Sequence, residues 1–401
     1  MSFRQGSPGK RKLVGVLAYD LSEVTADFLK GVAGQCAHAV KCYPVFYHQH
    51  QERSGIPHLP SAIRGKYLSL SGQNGVPEGT VRNWNLRASV RCAIESDVVV
   101  LMGLQATSAL VCASIARLLR KPLISVNQTL PYEIERNRRW LIRAAKRFLL
   151  ALSTIAVYQT EISKETLLRL YKVPEDRLYK AIFSSGFEDF EKRWNSRSER
   201  PNPLPRAKLA AGHSHIVAFV GNLHPFKGVR DLISAVPEIS KQADVRVLFA
   251  GPEELRNGAG GTVKDYLALA DSLGVRDRVE FLGLLSRDDL VWLYEAADVV
   301  ALPSYRDTFG KVFVEGALAG CALISTDACG ASGTVIRDGE NGFVVRRGDV
   351  KALADAIVRI VDPETLARMK KRSQEMVRSE CDPQSEITGY CVAINAALER
   401  A

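Results

Sequence analysis

Short apolar runs alternate with amphipathic stretches along nearly the whole chain. In the first half, Leu13–Ala18, Val40–Phe46, Asp97–Met102, Pro122–Val126, Thr154–Val157 and Lys180–Phe183 have the length and apolar content expected of buried strands. Between them Val24–Ala39, Ala106–Leu119, Arg136–Leu150 and Lys164–Tyr171 carry helical spacing. The alternation breaks at Ser184–Ser214, with Pro201, Pro203 and Pro205, and then restarts. Strands are expected at Ile216–Val220, Val245–Ala250, Val279–Leu282, Asp298–Leu302 and Cys321–Ser325. Helices are expected at Gly228–Ile239, Val263–Leu273, Arg287–Ala296, from Gly310 to Gly320, and at Val350–Val361. Strand–helix alternation of this kind predicts an α/β protein with two doubly wound parallel sheets.

The expected division is a disordered basic leader at 1–12, a first Rossmann-like domain at 13–195, a linker at 196–214 and a second such domain at 215–377. The segment 378–401, with a helix at Ser385–Leu398, is expected to cross back onto the first domain. At 401 residues, two domains of nearly half the chain each suit the size at which single cores stop growing.

Charge separates the halves. Residues 1–200 carry a balance of +13 and residues 201–401 one of −3, so the basic excess lies wholly in the first half. Much of it gathers on Arg136–Leu150, where Arg139 and Arg143 stand on a basic amphipathic helix. That face is either a solvated side of a core helix or a docking surface for an anionic membrane or lipid-linked substrate. Nucleic acid is a poor partner, because the basic residues lack interleaved aromatics or a reader motif. The eight cysteines include no C-x-x-C pair, and His48, His50 and His58 have no thiol close by and only Glu52 as an acidic neighbour, so reduced thiols and no metal site are expected. With no run of 18 apolar residues, the chain reads as cytoplasmic, peripheral at most to the inner face of the cytoplasmic membrane. Tyr19–Glu23, after the first strand, contains no glycine, which argues against a nicotinamide or flavin fingerprint there.

The densest candidate chemistry runs from Leu302 to Gly320. A strand ends at Pro303, a polar loop follows, and Gly310 stands where a helix begins. Unpaired amides of its first turn, near Lys311 and Val312, suit an anion such as a diphosphate. Asp307 and Glu315, with seven residues between them, flank that position. The plain alternative is a capping Asp and a solvated helical Glu. Three glycine turns accompany it at expected strand ends: Gly221-Asn222 through Lys227-Gly228, Gly251-Pro252-Glu253, and Leu282-Gly283-Leu284. Lys227 is a point charge suited to a phosphate, and the backbone near Leu284 could pair with a base edge.

The order of these features resembles the C-terminal half of GT-B retaining glycosyltransferases of family 4, the nucleotide-sugar-dependent group. The likeness is close over Ile216–Ile360, through Phe219-Val220-Gly221, Lys227-Gly228, Arg278 to Gly283, Pro303-Ser304, Phe309-Gly310, Glu315, Ala317 to Asp327 and Asp338 to Gly342. The first half resembles the family only in its strand–helix order and in Ser163 with Tyr171 to Leu178. The resemblance implies a nucleoside-diphosphate sugar bound between two domains and no cofactor or metal. It implies that Lys227 and the amides at Gly310, Lys311 and Val312 hold the leaving diphosphate, that Glu315 binds the ribose and that Asp307 faces the sugar. Gly221, Asn222, Gly251, Leu282, Gly283, Leu284 and Phe309 would line the donor, and Asn127 the acceptor side with Arg139 and Arg143. The acceptor would be a saccharide or a lipid-linked molecule in envelope polysaccharide or glycolipid synthesis.

This sequence departs from the family at several positions. Asp307 is one methylene shorter than the usual Glu, Asn222 stands where many members have Arg, Thr334 where a Glu is frequent, and Asn127 where a histidine would be sought. The departures motivate a second reading, a nucleotide-binding partner subunit with weak turnover. A third, a sugar-nucleotide epimerase, requires isomerisation of the donor without an acceptor.

Overall fold

The computed structural model of the chain describes residues 12–18, 29, 31–36, 38–44, 86–102, 107–128, 140–184, 186–253 and 261–401. Among the described residues twelve strands form two six-stranded sheets. The first holds β1 (Leu13–Ala18), β2 (Ala39–Pro44), β3 (Val98–Met102), β4 (Leu123–Asn127), β5 (Ile155–Tyr158) and β6 (Leu178–Lys180) in the order β2-β1-β3-β4-β5-β6. The second holds β7 (His215–Val220), β8 (Val245–Ala250), β9 (Val279–Gly283), β10 (Val299–Ala301), β11 (Ala322–Thr326) and β12 (Gly342–Val345) in the order β12-β11-β10-β7-β8-β9. Every pairing is parallel, with Val16 of β1 opposite Cys42 on one side and Val100 on the other.

Runs such as Val-Val-Val-Leu-Met in β3 alternate between two buried faces, each covered by its own apolar cluster. Such unbroken apolar strands are stable only when helices cover both faces. In each sheet the strand order reverses once, between β1 and β3 and between β7 and β10. The loops leaving neighbouring strands diverge there, and a crevice opens at the carboxyl ends.

Several expectations need correction. The stretch expected as a linker, 196–214, is structured and belongs to the second domain. Phe187–Asn195 and Arg206–Ala210 are helices, and Phe187, Phe190, Leu209 and Ala210 join the second core. Apolar residues on either side of the prolines supply that anchorage, so the crossing lies before Phe187 rather than beyond residue 195. Residues 181–184 are not a strand; β6 ends at Lys180. The helix expected from Lys164 begins at Glu161, where Thr160 and Ser163 form a reciprocal cap. Among the described residues the helix Leu86–Glu95, β12 and the helix Pro363–Glu380 also escaped the apolar pattern, the last because its polar face hides a buried stripe of Met369, Ser373, Met376 and Val377. The leader (apart from Lys12), Tyr19–Glu23, His48, His50, His58 and Arg139 lie outside the described residues.

The final helix, Pro383–Glu399, crosses back onto the first sheet as expected. Tyr390, Ala393, Ile394 and Ala397 pack on that sheet's second face. Gly389 rests on the backbone of β6, where an added Cβ would stand 2.2 Å from the Lys180 carbonyl oxygen. Here the expectation of eight reduced thiols fails: Cys36 and Cys391 form a disulfide with Cα atoms 5.7 Å apart. The two residues are 355 apart in sequence and meet only because the last helix returns, which no local spacing can reveal. The other six cysteines are buried thiols.

The two chain crossings are tied by one carboxylate. Glu386, on the first turns of the final helix, accepts hydrogen bonds from the Ser184 amide (2.8 Å) and hydroxyl (2.6 Å) and from Gln159 Nε2 (3.4 Å). Burial outweighs these bonds and pushes its pKa from the ordinary 4.5 up to about 7. Between those values the folded chain holds a proton that the unfolded chain has released. Stability therefore falls as pH rises from about 4.5 towards 7. Chemical denaturation of Glu386→Gln should lack this component, so the difference in stability between variant and parent should move in the variant's favour from pH 5 to 7.5. A difference independent of pH would show that the carboxyl is not titrating there.

Candidate active site

At the carboxyl ends of β7, β8 and β9 three glycine turns lie side by side. Gly221 donates to the Ala250 carbonyl (2.9 Å) and Gly251 to that of Gly283 (2.8 Å). A Cβ on Gly251 would fall 1.9 Å from the Gly221 carbonyl oxygen, so only glycine permits the approach. Asn222 is half-buried in the first turn. Leu282 is half-buried against the core, whereas Gly283 is exposed and Leu284 is 76 % exposed. These turns form a floor of backbone with few side chains projecting from it.

The loops after β7 and β10 meet across the switch point. The Tyr305 amide donates to the Phe226 carbonyl (2.7 Å), which sets residues 226 and 227 opposite residues 306 and 307. Lys227 Nζ lies 2.5 Å from Asp307 Oδ2, and both side chains are largely buried. Asp307 Oδ1 accepts from the Phe309 amide (3.3 Å), and the Asp307 backbone is bonded to Ala328 and Gly330. The site's carboxylate and its lysine are thus direct partners, an arrangement the sequence does not reveal. It also missed Arg306, whose guanidinium carbon lies 4.3 Å from the centre of the Phe226 ring.

Gly310, at φ 81°, caps the helix Lys311–Ala319 with no side-chain hydrogen bond to the first turn, and Gly320 closes it in the left-handed region. An uncapped first turn presents amides and the positive end of the helix dipole. Phe309 is buried and packs edge-to-face on Phe183 at 5.0 Å, so the site sees its backbone rather than its ring. Lys311 is exposed and Val312 half-buried. Glu315 is no solvated helical residue. Its Oε2 accepts from the fully buried Tyr294 hydroxyl at 2.7 Å, and desolvation raises its pKa against the opposing effects of Tyr294, Lys311 and Arg287. Its Oε1 lies close to Gly186, where a Cβ would stand 3.7 Å away. The first chain crossing therefore lies against the site's second carboxylate.

On the other sheet Asn127 ends β4 and is 1 % exposed. Its Nδ2 donates to the Ser125 (3.0 Å) and Val157 (3.3 Å) carbonyls, leaving Oδ1 buried with no hydrogen-bond partner among the described residues. Arg143 is exposed on the helix Trp140–Leu152 and has no described contact with Asn127. The domains touch where the Glu161 amide, after β5, donates to Thr334 Oγ1 at 2.9 Å. Among the described residues no group of three or more His, Cys, Asp or Glu could hold a metal ion, and no helix is long and apolar enough to cross a membrane.

The family described as "Glycosyl transferases group 1" matches residues 203–376, the span that carries Lys227, Asp307 and Glu315. Over residues 203–376 the chain is similar to the group 1 glycosyl transferases. D-inositol 3-phosphate glycosyltransferase of Corynebacterium diphtheriae is 33 % identical over 230 residues, 55 % of this chain and 51 % of the relative. The Mycolicibacterium vanbaalenii protein of the same name is 41 % identical over 182 residues, 42 % of this chain and 39 % of the relative. The chain thus spans about half the length of the curated relatives it matches. The fold extends further than the sequence likeness. Sucrose-phosphate synthase from Thermosynechococcus elongatus superposes with a TM-score of 0.72 at 16 % identity, over 98 % of this chain and 100 % of that one. Anabaena HepE in complex with UDP does so with a TM-score of 0.69 at 17 % identity, over 97 % and 100 %. The two sheets with their helices together make the GT-B fold.

Proposed function

We propose that the chain is a retaining, metal-independent glycosyltransferase that moves a hexose from a nucleoside-diphosphate sugar to a saccharide or lipid-linked acceptor. The observation that carries this reading is the meeting, at one switch point, of Lys227, Asp307 and the uncapped turn of the Lys311 helix. A cleaving donor develops negative charge on its diphosphate. Lys227 and the first-turn amides offer positive charge fixed before the reaction, which costs no reorganisation when the bond breaks. The acceptor hydroxyl attacks the anomeric carbon as the bond to the diphosphate breaks, and its proton passes to the departing diphosphate oxygen. Asp307, held by Lys227 and the Phe309 amide, is a poor nucleophile, which favours attack on the leaving-group face through an oxocarbenium-like state. Glu315, oriented by Tyr294, would take the ribose hydroxyls, and the glycine floor leaves room for the base. HepE, one of the structural neighbours, has been solved with UDP-glucose.

For the acceptor, two observations favour an anionic or membrane-borne molecule. The relatives' names specify an inositol phosphate, and the first half of this chain carries the +13 balance. Trp140, Leu141 and Phe148 on the helix Trp140–Leu152 are 68, 61 and 50 % exposed and share a stripe beside Arg143 and Arg147. Apolar side chains next to guanidinium groups suit the boundary of an anionic bilayer. Envelope polysaccharide or glycolipid synthesis at the cytoplasmic face would fit such a site.

Transfer from UDP-, GDP- and ADP-sugars, read as released nucleotide, tests the donor site. Lys227→Ala and Glu315→Ala should each lower kcat/KM by about tenfold or more, the loss of one charge-assisted contact. Full activity in both contradicts the site, and donor binding without transfer by the parent supports the partner-subunit reading. For the membrane surface, sedimentation with phosphatidylglycerol vesicles should exceed that with phosphatidylcholine. The double variant Arg143→Ala/Arg147→Ala should weaken it roughly tenfold or more, at about 1 kcal/mol for each cation near the surface. Equal binding to both lipids, or by both proteins, would remove the membrane from the account.

A further inference from the structure

Arg306 is a half-buried cation at the switch point. Its guanidinium carbon lies 4.3 Å from the centre of the Phe226 ring, and Lys227 Nζ lies 5.6 Å from the same ring. Two positive groups, from two loops, are gathered about one aromatic side chain. Among the described residues Arg306 has no carboxylate partner. The adjacent Asp307 is already engaged, with Oδ2 taken by Lys227 and Oδ1 by the Phe309 amide. This sets Arg306 apart from arginines such as Arg193, Arg206, Arg278 and Arg372, each of which pairs with a carboxylate.

A half-buried guanidinium with five donors and no anion loses hydration that the ring only partly replaces. Such a group binds an incoming anion favourably, because the anion restores contacts that burial removed. Stacking on Phe226 also holds its plane. A fixed guanidinium presents a fork that matches two phosphate oxygens, which a lysine cannot do. The Tyr305–Phe226 backbone bond keeps residues 306 and 226 in register, and the uncapped helix begins five residues beyond Arg306.

We propose that Arg306 is a donor-binding residue whose guanidinium contacts the diphosphate of the nucleotide sugar, alongside Lys227. This inference rests on the proposed donor site and adds to it a residue that local sequence pattern does not mark. It also offers a physical reason for Asn222 in the first turn: with Arg306 reaching in from the opposite loop, no cation is needed at position 222. While Asp307 screens Lys227, Arg306 is the positive group at this point without a carboxylate beside it.

The test is calorimetric titration of the parent and variants with UDP, GDP and ADP, following whichever binds the parent most tightly. Arg306→Ala should weaken that nucleotide about tenfold, the loss of one charge-assisted contact. Arg306→Met keeps an apolar stem over Phe226 without the charge, and should lose as much. Arg306→Lys should recover part of the loss, since charge returns without the fork. Lys227→Ala separates this inference from the site on which it rests. If Lys227→Ala weakens the nucleotide while Arg306→Ala or Arg306→Met binds like the parent, Arg306 only packs on the ring and the inference falls alone. If Lys227→Ala also binds like the parent, or the parent binds none of the three nucleotides, the donor site falls with it. A melting temperature lowered in Arg306→Ala with unchanged affinity again assigns the residue to packing.

Discussion

The pairing of Lys227 with Asp307 is the contact on which the organisation of the site depends. It joins the loop after β7 to the loop after β10 at the place where the strand order of the second sheet reverses. Lys227 closes a single 3-10 turn, Pro225–Lys227, and Asp307 lies in a loop, so each segment needs a partner to hold its shape. The ion pair, the Tyr305–Phe226 backbone bond and the Asp307 backbone bonds to Ala328 and Gly330 supply one. A buried pair of this kind gains little net stability, because desolvation offsets most of the attraction. Its value lies in position: it fixes a cation and a carboxylate beside an uncapped helix, where a diphosphate has reason to bind.

The same site is linked mechanically to the rest of the chain. Gly186, at the first crossing between domains, lies against Glu315, and Phe183 packs on Phe309. Two residues from Gly186, Ser184 is held by Glu386 of the final helix. Both crossings thus meet at one buried carboxylate, and a path of direct contacts runs from it to the site. Closure of the cleft on a donor would have to bend the chain at these contacts, since the helices on either side are packed into their own cores.

Most of the fold could be read in the sequence because parallel strands covered on both faces are nearly continuous apolar runs. Val98–Met102 and Val245–Ala250 announce themselves for that reason. The helix Pro363–Glu380 did not, because its buried stripe is narrow and its many charged residues dominate the pattern. Proline content misled at 196–214, where local composition suggested a linker and tertiary packing of Phe187, Phe190 and Leu209 decided otherwise. In the site, local chemistry such as Gly310 before a helix was legible from order along the chain. What was not legible depends on contacts between distant segments: Lys227 with Asp307, Tyr294 with Glu315, Arg306 on Phe226 and Cys36 with Cys391.

The central claim is that this switch point binds a nucleoside diphosphate. Thermal unfolding of the chain with UDP, GDP, ADP and their sugars addresses it directly. A ligand at 100 times its dissociation constant adds about 2.7 kcal/mol to stability, enough to move the melting temperature by several degrees. The account requires a clear rise with one nucleotide family, markedly smaller when Lys227 is replaced by alanine. No rise with any of them, or an equal rise in the Lys227→Ala protein, would contradict it.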